Sequence, residues 1–264
     1  MTGAAFSRAA NESRDATPFD SDPLLEPEWL DRRDLSAPAR RRAIADLRRV
    51  NRLLFGRRAA VRAVLEELSE RDSSALVLDV AAGAGDIGAA VARAAARRGV
   101  DLGIVALDRE LTHLVLGRRW GDVRRGVVAR AEALPFRDGA FDLTLSTLFF
   151  HHLDRRGKVS AGAEMLRVSR RAALIVDLVR SRWAGIAARL LFPLLAIGRV
   201  AREDGLVSLR RGSRLEEWHG FLGESATPEV RRRFPARVSI VLRVPASTIH
   251  SEDDAVRGLL VETT

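Results

Sequence analysis

The spacing of apolar residues divides the chain into regions with different predicted structure. Between 37 and 70, apolar side chains recur every three or four positions, first over 44–54 and, after Gly56, over 61–68. This spacing predicts two helices, which we expect to cap the region that follows. The stretch 1–26 is rich in Ala, Ser and Asp, and we expect a flexible tail there.

From residue 73 the pattern changes to short apolar runs separated by stretches with helical spacing. The runs lie at 76–80, 104–107, 126–129, 143–148 and 173–179, and a later alternating run lies at 238–244. The helical stretches include 87–98, 110–118, 158–168 and 214–223. Strands that alternate with helices predict an α/β fold with a doubly wound, mostly parallel sheet. Such sheets bind ligands beyond the carboxyl ends of their strands.

The segment 183–200 is strongly apolar and about as long as a short membrane span. Arg189 lies inside it and Phe192-Pro193 would interrupt a helix, so we do not expect stable insertion into a membrane. Two interpretations stay open: an amphipathic lid over an apolar ligand, or an ordinary core helix. The predicted division of the chain is a tail at 1–26, a helical cap at 27–72, a core at 73–180, a helical lid at 181–223 and C-terminal strands that complete the sheet at 224–264.

Composition narrows the chemistry that the chain can perform. It has no cysteine, which removes disulfides, thiolate metal sites and cysteine nucleophiles and fits a cytoplasmic location. It also has no tyrosine to act as an acid or base. The formal charge is +9, and all but one of the 44 basic residues are arginine. These arginines are spread along the chain, so we expect no nucleic-acid partner, and no metal site is predicted.

A buried run that ends in an acid and a glycine turn carries the most specific signal. The stretch 77–85 reads Val-Leu-Asp-Val-Ala-Ala-Gly-Ala-Gly, and Gly83, Gly85 and Gly88 are spaced as in nicotinamide-nucleotide sites. A diphosphate at this helix N-terminus would be repelled by the carboxylate of Asp79, whereas a sulfonium and an ammonium group would be attracted to it. Asp79 therefore favours S-adenosylmethionine (SAM) as the cofactor.

A second acid, Asp108, ends the next predicted strand. In doubly wound sheets the acid at this place hydrogen-bonds the ribose hydroxyls of an adenine nucleoside. Asp108 therefore supports an adenosine site without distinguishing the two cofactors. The alternative is that Asp108 only caps the helix that begins near Glu110.

The segment 131–142, Ala-Glu-Ala-Leu-Pro-Phe-Arg-Asp-Gly-Ala-Phe-Asp, resembles the stretch between the third and fourth strands of class I SAM-dependent methyltransferases. Together with 77–85 and Asp108, it makes the chain similar to that family over 75–179. The resemblance implies a Rossmann-like sheet of seven strands, SAM as cofactor and methyl transfer as the activity. It implies cofactor contacts from Asp79, Ala81, Gly83, Gly85, Asp108, Arg109, Ala131, Glu132 and Ser146.

The chain departs from the family pattern at two places. Ala81 stands where the family usually has glycine, so the turn must tolerate a methyl group. Arg130 stands where the family often has an aspartate that accepts a hydrogen bond from adenine, and arginine cannot accept one. Either Glu132 replaces that aspartate or backbone groups alone contact the base.

Two adjacent histidines follow the fourth predicted strand, where the resemblance implies that the methyl group and its acceptor meet. Histidine is suited to act as a base near neutral pH, so His151 and His152 are the candidate catalytic residues. Because adjacent side chains usually point in different directions, we expect at most one of them to face the acceptor. The alternative is that both only hydrogen-bond or pack within the loop.

The sequence favours a small-molecule acceptor. The Asn/Asp-Pro-Pro-aromatic element of amino-methylating nucleic-acid enzymes is absent after the fourth strand, and no cysteine is present for cytosine-carbon methylation. The runs 46–51, 177–180 and 204–211 give a weaker resemblance to bacterial quinone-biosynthesis C-methyltransferases, some of which accompany polyketide pathways of secondary metabolism. They imply a phenolic or enolic acceptor, and we favour O-transfer slightly over C-transfer.

Two other functions stay open from the residues alone. A non-catalytic protein could keep the cofactor fold for regulation, since Ala81 and Arg130 depart from the pattern. A nicotinamide-dependent oxidoreductase is disfavoured by Asp79 and by the lack of tyrosine. A homodimer is neither indicated nor excluded.

Overall fold

The structure is a computed structural model, and it describes residues 7–8, 35–53, 56–223 and 226–245. Within these residues the strands are β1 (Ser7–Arg8), β2 (Ser74–Val80), β3 (Asp101–Asp108), β4 (Arg125–Val128), β5 (Phe141–Thr147), β6 (Ser169–Leu178), β7 (Glu229–Arg233) and β8 (Arg237–Arg243). The helices are α1 (Ala37–Leu53), α2 (Gly56–Glu67), α3 (Asp86–Ala96), α4 (Leu111–Arg119), α5 (Arg155–Arg167), α6 (Arg182–Leu194), α7 (Arg199–Arg211) and α8 (Glu217–Leu222), and a 3₁₀ turn covers Phe150–His152. None of these helices is long and apolar enough to cross a membrane.

The strands form one sheet in the order β1-β4-β3-β2-β5-β6-β8-β7. Only β8 runs antiparallel to its neighbours, and the other pairs are parallel. The strands from β2 to β8 make the predicted seven-stranded, doubly wound sheet, so the prediction of the fold class is confirmed. Ser7 and Arg8 pair with β4 at one edge; the rest of the predicted tail at 1–26 lies outside the described residues.

Helices bury both faces of the sheet, which explains why the central strands read as continuous apolar runs. On one face α2 and α3 pack against β2, β5 and β6 through residues such as Val64 and Val91. On the other face Met165 of α5 and Trp218 of α8 pack against β6 and β8. Loops at the carboxyl ends of β2, β3, β5 and β6 therefore meet along one edge between two rigid layers.

The predicted cap forms two helices, and α1 lies close to the glycine turn. Ile44 shares an apolar cluster with Ala84 of that turn and with Leu116 of α4. The same helix reaches the lid region, because the Asp46 carboxylate accepts a hydrogen bond from the backbone N–H of Gly198 at 2.9 Å. Helix α1 thus contacts both the predicted cofactor turn and the segment after β6.

The segment predicted as a lid, 181–223, forms three helices, α6, α7 and α8. Pro193 lies in the last turn of α6, and the chain turns at Ala196, whose φ is 50°. Ala188 and Phe192 of α6 are buried against the start of α7, and α7 in turn lies against the 3₁₀ turn and β6. The boundaries of the cap, core and lid remain predictions.

Strand β7 lies within 224–264, where C-terminal strands were predicted, but no apolar run in the sequence marks its position. Its residues Glu229–Arg233 carry four charged side chains, so it lacks the apolar alternation that marks a half-buried strand. It lies at the edge of the sheet and pairs only with β8. Charged side chains are typical of edge strands, because they oppose pairing of the free edge with a strand of another molecule.

Candidate active site

The turn after β2 exposes its backbone at the carboxyl edge of the sheet. Ala81, Gly83 and Gly85 have left-handed backbone conformations, with φ of 56°, 57° and 72°. A Cβ on Gly83 would meet no atom of the described residues within 4 Å, whereas a Cβ on Gly85 would lie 2.5 Å from Cγ2 of Val123. Gly85 therefore allows the turn to pack against the neighbouring loop, and Gly83 leaves room for a ligand to approach the backbone.

Asp79 lies beneath this turn as a buried acid. Neither of its carboxylate oxygens has a hydrogen-bond partner within the part of the chain that the structure describes. Burial, together with the negative charges of Asp86 and Asp108, raises the pKa of Asp79 from 3.8 to about 8. Gly88 makes room for this carboxylate, since a Cβ there would lie 2.6 Å from Oδ2. A cation placed against Asp79 would relieve an unfavourable concentration of negative charge.

Asp108 ties the glycine turn to the end of β3. Its Oδ2 accepts a hydrogen bond from the N–H of Gly83 at 2.7 Å, and its Oδ1 accepts one from the N–H of Glu110 at 2.9 Å. Nδ1 of His113 lies 3.4 Å from Oδ1. Glu110 is the N-cap residue of α4 and the helix has no side-chain cap hydrogen bond among the described residues, so Asp108 stabilises the turn before the helix and does not cap it. Each carboxylate oxygen can accept a further hydrogen bond, so these contacts leave capacity for ribose hydroxyls.

The residues expected near adenine lie after β4. Ala131 is buried, and Arg130 and Glu132 form an ion pair with 3.2 Å between Nη2 and Oε1. Because Arg130 holds Glu132, the pair presents both a donor and an acceptor beside Ala131. Arg109 is half exposed and lies 3.7 Å from Glu110. The contacts of these residues with a cofactor remain predictions.

The loop after β5 begins with a buried serine and a strained residue. Ser146 is fully buried, and its hydroxyl has no hydrogen-bond partner among the described residues. Leu148 adopts a φ of 55°, and its N–H donates to the carbonyl of Val176 at 2.9 Å. Strain of this kind is characteristic of ligand-binding turns, and here it turns the chain into the 3₁₀ turn that carries the histidines.

The most specific arrangement at this edge joins His151 to Asp177 at the end of β6. The distance between Nδ1 of His151 and Oδ1 of Asp177 is 2.6 Å, and the N–H of His151 donates to Oδ2 at 2.9 Å. Burial of Asp177 opposes its ionisation, but the charge and hydrogen bond of His151 and the N–H of Leu178 outweigh it and lower its pKa. Asp177 is therefore an ionised acceptor that fixes the imidazole ring.

His152 lies beside His151 instead of pointing away from it. The two ring centroids are 4.2 Å apart, because the 3₁₀ turn rotates the second ring back over the first. The Phe149 ring stacks near His152 with centroids 6.5 Å apart. The expectation that adjacent side chains diverge is therefore wrong for these rings. His151 is buried, and His152 is half-buried at the open side of the pair.

The comparisons with known proteins agree with this geometry. Residues 77–172 match the sequence model of the family described as a methyltransferase domain. This core is a class I SAM-dependent methyltransferase domain. The protein is an enzyme of that class, with SAM as its cofactor, and the predictions of both are confirmed. The nicotinamide-dependent alternative is set aside.

Solved structures share the fold of this methyltransferase at low sequence identity. A SAM-dependent methyltransferase from Aquifex aeolicus is 16% identical, with a TM-score of 0.52, over 76% of this chain and 97% of that one. Human N-acetylserotonin methyltransferase in complex with SAM is 13% identical, with a TM-score of 0.55, over 79% of this chain and 56% of that one. No curated protein sequence matches the chain.

The residues around the glycine turn fit SAM on physical grounds. SAM carries positive charge on its sulfonium and ammonium groups, and Asp79 is a buried acid whose two oxygens accept no hydrogen bond from the described residues. The backbone of Gly83 is open to approach, and Asp108 is anchored in place beside it. Asp79 would hold the cationic end of the cofactor and Asp108 its ribose.

Three residues near the site were not assigned a role from the sequence. Asp177 is one of them, because its pairing with His151 depends on β5 and β6 lying side by side in the sheet, which residue spacing does not reveal. His113 lies on α4 beside Asp108. Lys158 is buried, donates to Oγ of Ser213 at 3.1 Å and lies 4.4 Å from the Phe221 ring centroid. The signal for Lys158 was available, because it is the single lysine in a chain that otherwise uses arginine.

Proposed function

We propose that this methyltransferase transfers a methyl group to the hydroxyl oxygen of a small phenolic or enolic acceptor. The observation that carries the proposal is the pairing of His151 with Asp177 at the carboxyl ends of β5 and β6. Transfer to a hydroxyl releases a proton, so a fixed base at this edge suits an oxygen acceptor.

The pairing defines which nitrogen of His151 can act as a base. An ionised Asp177 can only accept hydrogen bonds, so Nδ1 of His151 carries its proton and Nε2 carries the lone pair. Asp177 is a positioning residue, because it sets the tautomer and stabilises the charge that appears when Nε2 takes a proton. Hydrogen bonds from His151 and from the N–H of Leu178 favour the ionised form of Asp177 before the step, and the positive charge that His151 gains lowers the pKa of Asp177 further.

SAM, when bound, supplies an activated methyl group on sulfur. The protein's own contribution is alignment, exclusion of water and removal of one proton. Nε2 of His151 takes the acceptor's hydroxyl proton, and Asp79 and Asp108 keep the cofactor in register with the acceptor. His152 and Phe149 flank the base and would contact the acceptor ring.

The surroundings support an acceptor of modest size. The 3₁₀ turn is covered by α7, and α7 is fixed to α1 through Asp46 and Gly198. This cover leaves the histidine turn beneath a helical layer, which suits a small aromatic molecule and not a nucleic-acid strand. Arginines elsewhere on the chain are engaged in pairs with Asp and Glu, such as Arg231 and Arg243.

The test measures formation of S-adenosylhomocysteine with a panel of phenols and enolic polyketides, and locates the methyl group by NMR. We expect His151→Ala to lower kcat by about 10² to 10⁴ with little effect on the affinity for S-adenosylhomocysteine. Asp177→Asn should lower kcat and alter its pH profile, whereas His152→Ala should chiefly raise KM for the acceptor.

Three outcomes would contradict the proposal. If His151→Ala keeps full turnover, the base has been assigned wrongly. A product methylated on carbon would favour the quinone-type C-methyltransferase alternative. Cofactor affinity without turnover across the whole panel would favour a regulatory SAM-binding protein.

A further inference from the structure

The outward side of α6 is an apolar stripe that no described residue covers. Trp183, Leu190 and Leu194 are 80%, 67% and 80% exposed, and Ile186 and Leu191 are exposed beside them. These positions recur at three- and four-residue spacing, so they share one face of the helix. The opposite face is also apolar, because Ala188 and Phe192 are buried. A helix that is apolar on both sides normally has both sides covered.

The charges of this segment are all of one sign. Helix α6 contains Arg182 and Arg189 and no acidic residue, and Arg180 precedes it. Arg189 is exposed. The protein as a whole has a formal charge of +9. Exposed Trp and Leu on one side of a helix, with arginine as its only charged residue type, are typical of helices that lie in the interface of an anionic membrane.

We propose that α6 docks the protein on the surface of an anionic lipid bilayer. The stripe of Trp183, Leu190 and Leu194 enters the boundary between headgroups and acyl chains, with the helix axis parallel to the surface. Arg189 extends along its aliphatic stem to reach lipid phosphates. The helix does not span the bilayer, since it has only 13 residues.

The position of α6 in the fold places this surface beside the acceptor edge. Helix α6 begins soon after β6 ends, at the same edge as Asp177. The turn between β7 and β8 lies there too, because Arg237 of β8 is in register with Leu178 of β6. That turn carries Phe234, which is 83% exposed. Two exposed apolar elements therefore lie at the carboxyl edge of the sheet, where the proposed function puts the acceptor.

A second copy of the chain fits this stripe less well than a lipid surface does. Two stripes packed together would bring arginines of like charge to the same interface, which is destabilising. A stable protein interface also uses roughly 20 to 30 residues on each side, whereas the stripe has five. An anionic lipid surface offers both the opposite charge and an apolar layer.

The test uses the full chain and sedimentation with vesicles of phosphatidylcholine alone or mixed equally with phosphatidylglycerol. We expect binding to the mixed vesicles that weakens in high salt, and little binding to phosphatidylcholine. Trp183→Ser combined with Leu190→Ser should lower the affinity at least about tenfold. Arg189→Gln should lower it about fivefold, which is the effect of one charge near the surface.

Leu111→Ser is the matched control, because Leu111 is 50% exposed on α4, outside the stripe. It should bind vesicles like the unchanged protein. Vesicles should also shift the tryptophan emission to the blue, and Trp183→Phe should remove that shift without unfolding the protein. The proposal is overturned if the unchanged protein does not bind mixed vesicles, or if the double variant binds equally well. A concentration-dependent dimer that Trp183→Ser abolishes would also overturn it, since a second copy would then cover the stripe.

Discussion

The ionised form of Asp79 destabilises the folded protein but favours binding of a cationic cofactor. Its pKa is about 8 in the folded chain, because it is buried close to Asp86 and Asp108. A folded-state pKa above the unfolded value means that the folded protein holds the extra proton between about pH 4 and pH 8. Its unfolding free energy therefore falls as pH rises through this window and levels off above it. The same unsatisfied carboxylate is what a cationic cofactor would pair with.

We expect Asp79→Asn to stabilise the ligand-free protein at pH 8 and to weaken cofactor binding. The neutral side chain removes the cost of ionisation, on the order of a few kcal/mol. Denaturant unfolding at pH 5 and pH 8 should show a smaller pH dependence in the variant. Calorimetry should show about a tenfold or greater loss of affinity for SAM, with a smaller loss for S-adenosylhomocysteine, which lacks the sulfonium charge. An identical pH dependence in both proteins would contradict the burial argument.

Ala81 carries backbone strain that glycine would relieve. Its φ of 56° is in the left-handed region, which costs a residue with a Cβ about 1–2 kcal/mol. Part of the stability gained by relieving this strain is lost, because glycine has greater conformational entropy than alanine in the unfolded chain. Ala81→Gly should therefore raise the melting temperature by about 1–3 °C. Ala90→Gly, in the interior of α3, is the matched control and should lower it. A lower melting temperature for Ala81→Gly would show that the methyl group makes compensating contacts.

At the scale of elements, α1 links the cofactor side of the protein to the lid helices. Arg48 pairs with Asp122 and lies 4.3 Å from the Trp120 ring centroid. Two residues before Arg48, Asp46 accepts the hydrogen bond from Gly198, and the next residue after Arg48, Arg49, donates to the carbonyl of Leu195 at 3.0 Å. The run 46–51 therefore has a structural role that its sequence alone did not reveal.

Removing the Asp46 carboxylate should loosen the junction between α6 and α7. Asp46 is buried and is the acceptor for the N–H of Gly198, the residue before α7. Asp46→Ala leaves that N–H without its partner, which costs roughly 1–3 kcal/mol. Hydrogen exchange over 198–211 should become at least about fivefold faster, while β2 and β3 keep their protection. Arg62→Ala, on the exposed side of α2, serves as the control and should leave 198–211 unchanged.

Elements whose apolar pattern reports burial could be predicted from the sequence, and those fixed by distant contacts could not. The strands from β2 to β6 and β8 read as apolar runs because helices cover both their faces. β7 reads as a charged loop because its side chains bind Glu66 and Glu229 instead of a core. In the same way, Asp79 and Asp108 could be assigned to the site because each lies at the end of a recognisable strand. The pairing of His151 with Asp177 could not, because it depends on β5 and β6 being neighbours in the sheet.

At the scale of the whole molecule, ion pairs join the N-terminal cap to the C-terminal strands. Glu66 of α2 pairs with Arg231 at 3.1 Å and with Arg233 of β7. Glu67 pairs with Arg243 of β8 at 2.6 Å. The arginines hold the pKa of Glu66 at about 2, below its usual 4.5, chiefly through the hydrogen bond from Arg233. These pairs hold α2 against the antiparallel edge of the sheet, although β7 and β8 lie more than 150 residues after α2 in the sequence.

Because the folded-state pKa of Glu66 is lowered, its contribution to stability is present above about pH 4.5 and is lost as pH falls toward 2. We expect Glu66→Gln to lower the unfolding free energy at pH 7 by about 1 kcal/mol. The effect is small because water partly screens these ion pairs. The difference should shrink at pH 3 and in 1 M salt, where Coulomb attraction is screened. Glu70→Gln, an exposed neighbour just beyond α2, should change little under any of these conditions. Equal effects of the two substitutions would mean that the network does not hold the ends of the chain together.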